Sequence, residues 1–80
     1  MPHNPELTRA KRVERRYRLA REMLRSWHNG NRSVVLDGIR RARSRHLLVA
    51  AIAREAMEYQ PPELRRAAVE MFFRLAAEKL

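Results

Sequence analysis

The sequence predicts an all-α protein, an antiparallel hairpin of two long helices with a third helix beside it. Two observations carry this reading. Apolar residues recur at alternating intervals of three and four through two long segments, the spacing of one helical face. Strong helix stops occur at only two places in the 80 residues, Asn29-Gly30 and Gln60-Pro61-Pro62.

The first helix is expected over about 5–28. It opens at Asn4-Pro5-Glu6, where Asn is a good cap, Pro is pre-shaped for the first helical position and Glu suits the positive helix start. Its stripe is Ala10, Val13, Tyr17, Ala20, Leu24 and Trp27, and Asn29-Gly30 ends it. The connection Asn31-Arg32-Ser33 is short, which makes the next helix its antiparallel neighbour, with Asn31 or Ser33 as cap.

The second helix is expected over about 34–59 on the seam Val35, Ile39, Ala42, His46, Val49, Ala53 and Ala56. Gly38 costs about 1 kcal/mol there relative to Ala, and Gly38 or Ser44 could mark a break, but the uninterrupted seam argues for one continuous helix. The third helix follows Pro61-Pro62 over about 62–79, with Leu64, Ala68, Met71, Phe72 and Leu75 on one side and Val69, Phe73 and Ala76 on the other. Residues 1–80 form a single domain, with 1–4 as a mobile tail.

Length and patterning together predict a homodimeric bundle. A compact chain of this size has a radius of gyration of about 12 Å and a diameter of about 30 Å. A continuous second helix would be about 39 Å long and would overrun it. Leu47-Leu48-Val49-Ala50-Ala51-Ile52-Ala53 is apolar all round, which asks for cover on every side. Leu47, Leu48, Ile52, Met71, Phe72 and Phe73 are therefore the expected dimer or partner interface.

Composition narrows the function. No cysteine is present and only two glycines, so thiolate chemistry and a Gly-rich phosphate loop are excluded. The serines are Ser26, Ser33 and Ser44, the one aspartate is Asp37, and no Asp/Glu/His cluster has ligand spacing. No catalytic residues, metal or other cofactor and no small-molecule substrate are expected. His46, on the seam, reads as a satisfied core or interface histidine, and Trp27 as the anchor of the turn end. The longest uncharged run, His46–Ala53, is far below the roughly 20 residues of a membrane span, and MPHNPEL is no signal segment. The expectation is a cytoplasmic protein without membrane association.

What remains is charge. The chain carries 18 basic and 9 acidic residues, net +9. Residues 1–45 hold 13 basic and 4 acidic groups and so carry the whole excess. Sixteen of the basic residues are Arg, which suits bidentate phosphate contact but also follows from coding bias. Placement is therefore more informative than the ratio. Within helices, Arg9, Arg18, Arg25, Arg40 and Arg41 have a carboxylate three or four positions away, and Glu70–Arg74 has the same spacing. Arg12, Arg15, Arg16, Arg43 and Arg45 have none, and Arg21 is also free on this rule.

In the hairpin Arg16 falls level with Arg45 and Arg18 with Arg43, so uncompensated charge gathers midway along it. Arg12, Arg15, Arg16, Arg43 and Arg45 are the expected contacts to the phosphates of DNA or RNA, in a small dimeric regulator or accessory factor. The alternative is an adaptor or inhibitor, for example from a mobile element, that docks on an acidic surface or apolar groove of a larger host protein.

Overall fold

A computed structural model describes residues 5–58 and 61–78. Among these, all regular structure is helical: α1 (Pro5–His28), α2 (Arg32–Arg41), α3 (Arg45–Glu58) and α4 (Pro62–Glu78). The expected mobile tail 1–4 and the Asn4 cap lie outside the described residues. The molecule has a radius of gyration of 13.7 Å and measures 45 × 29 × 17 Å.

The predicted stops behave as their chemistry requires. At the end of α1, Asn31 N–H bonds the Ser26 carbonyl at 3.0 Å and Gly30 N–H bonds the Trp27 carbonyl at 3.0 Å, the paired closure of a Schellman turn. Gly30 takes the left-handed φ of 97° that this closure needs. Asn31 starts α2 through its carbonyl, which accepts Val35 N–H, and its side chain makes no cap bond. Pro62 opens α4, and the Pro61 carbonyl accepts Leu64 N–H at 2.9 Å.

The predicted helix 34–59 is two helices. α2 ends at Arg41, Ala42 is extended (φ −67°, ψ 134°), and α3 begins at Arg45, with the Ser44 carbonyl accepting Leu48 N–H at 3.0 Å. Two physical reasons account for the break. A continuous helix would stack Arg40 on Arg43 and Arg41 on Arg45, like-charge pairs that each cost about 0.2–0.5 kcal/mol. It would also misplace the apolar groups. Ile39 and Ile52 are both fully buried, yet on one straight helix they would project about 140° apart.

The break turns both stripes onto one core. The buried face is Val35, Leu36 and Ile39 in α2, then Leu48, Ala51, Ile52, Glu55 and Ala56 in α3. The predicted seam is correspondingly out of phase in α3, where Val49 is half-buried and His46 is exposed rather than a core histidine.

The core joins Ala20, Met23, Leu24 and Trp27 of α1 to these residues and to Leu64, Ala67, Ala68, Met71 and Leu75 of α4. α1 packs most extensively on α3 and next on α4. α2 lies back along α1, with Gly38 beside Met23. α3 and α4 run antiparallel, with the start of α3 (Arg45, His46, Val49) and the end of α4 (Phe72, Leu75, Ala76) lining one hollow. The folded-back α2 thus removes the overlong helix from which a dimer was inferred. The all-round apolar segment is also largely covered within one chain.

Gly38 is a point where sequence and packing oppose each other. A Cβ there would meet Met23 Cε at 3.1 Å, close but against the flexible end of a side chain. Gly38→Ala is therefore expected to gain up to about 1 kcal/mol of helix propensity and to raise the thermal midpoint modestly. A lowered midpoint would show that Met23 cannot yield.

Candidate nucleic-acid interface

Ion pairs between helices, more than pairs within them, decide which arginines remain uncompensated. Arg21, free by the spacing rule, donates from Nη1 to Glu55 Oε1 at 3.0 Å, linking α1 to a carboxylate buried in α3. Glu70 does not pair with Arg74. Its Oε2 accepts Trp27 Nε1–H at 3.1 Å and Arg32 Nη2 at 3.4 Å, and the Arg32 guanidinium lies 5.9 Å from the Trp27 ring centroid. Trp27 is thus a core anchor held by a polar handle, as expected of a buried indole. Asp37 pairs with Arg40 at 2.7 Å rather than with Arg41. Of the expected pairs around Glu14 and Glu22, only Arg18–Glu14, at 3.3 Å, forms among the described residues.

Arg40 also holds Glu78 with both arms of its guanidinium, Nε to Oε2 at 3.1 Å and Nη2 to Oε1. The hydrogen bond from Arg40, ahead of its Coulomb attraction, lowers the Glu78 carboxyl below the usual carboxylate range. A carboxyl depressed in the folded state adds stability above its unfolded pKa. That stability is lost as pH falls through its folded pKa. Glu78→Gln should therefore leave less acid sensitivity across and below the carboxylate range, measured as thermal midpoint against pH. An unchanged acid limb would contradict the coupling.

The predicted phosphate contacts are divided by the fold. Arg12, Arg15 and Arg16 share one side of α1. Together with Leu19 they face Ala42, Ser44 and Leu48 across a shallow groove of about 280 Å³ at the α2–α3 break. None of the three makes a hydrogen bond or ion pair among the described residues. Arg43, exposed and likewise unpaired among the described residues, sits in the break between the two groove residues Ala42 and Ser44.

Arg45 does not join them. It lines a different hollow, with His46, Val49, Phe72, Leu75 and Ala76, and its charge helps to hold down the Glu78 carboxyl. The predicted level of Arg16 with Arg45 assumed a hairpin that continues past Arg41, and the turn at Ala42 ends it. The sequence reading also left out Arg65, Arg66 and Arg74 of α4, which are exposed and make no ion pair among the described residues; Arg65 has no carboxylate three or four positions away, whereas Arg66 and Arg74 do. Neighbouring carboxylates Glu70 and Glu78 are taken by α2.

The expected interface residues divide as well. Leu48, Ile52 and Met71 are buried in the core of the chain itself and are not surface groups. Leu47 is 51% exposed, Phe73 is 74% exposed, and Phe72 is half-buried. Among the described residues no group of three or more His, Asp or Glu could hold a metal ion, and no helix is long and apolar enough to cross a membrane. Comparison of the chain with protein families, with curated proteins and with solved structures finds no match.

Proposed function

We propose that this chain is a small, non-enzymatic nucleic-acid-binding protein, a regulator or accessory factor that grips the phosphate backbone with arginines of α1 and the α2–α3 break. The observation that carries the reading is the cluster Arg12, Arg15 and Arg16, unpaired among the described residues and gathered around one groove with Arg43 at its edge. Guanidiniums with no internal carboxylate leave their hydrogen-bonding forks for an external anion, and phosphate fits that fork bidentately. The helical frame fixes the backbone positions from which they reach, so the ordering needed on binding is confined to the side chains. The test is an anisotropy titration against salt. About six phosphate contacts on a duplex give a log–log slope of about −5. No binding at about 50 mM salt would end the proposal.

Self-association is part of the same reading and is supported by Leu47, Phe72 and Phe73. Leu47 and Phe73 remain exposed after the core is filled, and Phe72 is half-buried against it. Light scattering after size exclusion is expected to give twice the 9.5 kDa of one chain. A mass of one chain would leave those groups for a different partner. They are also the observation favouring the second reading, an adaptor or inhibitor on a host protein. A pull-down partner that persists after nuclease treatment would favour that reading. Loss of the captured material on nuclease treatment would favour the first.

A further inference from the structure

We infer that the ligand is B-form duplex DNA and that the first turns of α1 enter its major groove. The inference rests on the phosphate-binding reading above and adds the form of the nucleic acid and the element that enters it. α1 begins at Pro5, but its first buried residue among those described is Ala20. From Arg9 to Arg15 every residue is exposed, and this stretch of helix meets the rest of the chain only across shallow hollows, Arg12 and Arg15 toward the α2–α3 break and Glu14 toward α3. The part ahead of Arg16 is about 16 Å long, three turns. A helix with its side chains is about 10–12 Å across, and the major groove of B-DNA is about 12 Å wide. The corresponding groove of an A-form RNA duplex is deep and too narrow to admit it.

Charge fits the same occupant. Lys11, Arg12, Arg15 and Arg16 project over an arc of about 140° on one side of this arm. Of the two carboxylates in this arm, Glu6 lies in its first turn and Glu14 is already paired with Arg18 at 3.3 Å. At the root of the arc lies the α2–α3 break, where Arg43 is placed to meet phosphates at the groove edge. A single strand fits less well. Its bases need aromatic platforms, and none of the residues lining the arginine groove is aromatic.

The test uses the full chain and one sequence prepared as DNA duplex, RNA duplex and single-stranded DNA, titrated by anisotropy at a fixed moderate salt. The DNA duplex should bind at least about tenfold more tightly than either other form. Guanine N7, which lies in the major groove, should be protected from dimethyl sulfate. Ala10→Glu, at an exposed position of the arm outside the core, should weaken the DNA complex by about tenfold. Equal affinity for the two duplexes, or unprotected N7 on bound DNA, would overturn the major-groove placement and leave phosphate binding standing. Failure to bind any of the three would remove both.

Discussion

Replacing Trp27 with Ala is expected to remove a large share of the folding stability and to lower the urea midpoint sharply. Trp27 is 1% exposed and among the largest fully buried side chains, at the junction where α1, the turn at Gly30 and α4 meet. Removing a buried Trp side chain costs about 3–5 kcal/mol, the lost transfer energy plus the cavity left behind. A domain of this size has about 4–12 kcal/mol in total, so the loss takes a large share of it. Trp27→Phe separates the two roles of the residue. It keeps most of the apolar bulk but removes the Nε1–H donor to Glu70. Glu70 is half exposed, so water replaces the donor. The expected cost is about 1–2 kcal/mol. Urea unfolding followed by far-ultraviolet circular dichroism measures both variants. A Trp27→Ala midpoint close to that of the parent would mean that α4 does not close over the indole in solution.

The fold was legible where the signal is local. Gly30 and Pro62 end and begin helices for reasons confined to their own backbone, and the structure puts the boundaries there. The break at Ala42–Ser44 was not legible from seam spacing. A seam of Ala42, His46, Val49 and Ala53 satisfies the period, but it leaves the larger Leu48 and Ile52 off the buried face. Weighting each position by the apolar area it would bury favours the Leu48–Ile52 face and therefore a change of direction between Ile39 and Leu48. The arginine run Arg40-Arg41-Ala42-Arg43-Ser44-Arg45 is the second signal, because its like charges oppose a continuous helix.

The candidate site divides along the same line. Neighbours three and four positions apart identified Arg12, Arg15 and Arg16 correctly as residues without a carboxylate within their own helix. The same rule is blind to partners on other helices. It therefore left Arg21 free when Glu55 holds it, and gave Arg74 a partner that Trp27 and Arg32 engage. The C-terminal half is neutral in sequence, yet Glu55, Glu70 and Glu78 spend their charge on arginines of the N-terminal half. Folding thus leaves Arg66 and Arg74 uncompensated beside Arg65, which has no carboxylate at helical spacing, and the basic character is spread over two regions rather than one arm.

That spread supplies the control for the most demanding binding experiment. Arg12→Gln/Arg15→Gln/Arg16→Gln removes three cations from the groove. Gln and Arg have nearly equal helix propensity, so α1 is preserved. If each arginine meets one phosphate, the salt slope should fall by about 2.7, and affinity near 0.1 M salt should fall by about two orders of magnitude or more. Arg65→Gln/Arg66→Gln/Arg74→Gln makes the same change in net charge on α4, at exposed positions outside the core. Long-range attraction at this ionic strength is screened over about 10 Å. The α4 triple should therefore lose only a few-fold in affinity and less than about one unit of slope. Circular dichroism on both variants establishes that the helices are intact. Equal losses from the two triples would mean that binding follows net charge, and the groove at the α2–α3 break would then not be a site. A loss confined to the α1 triple ties the slope to particular guanidiniums, because the two variants differ in the placement of charge and not in its amount.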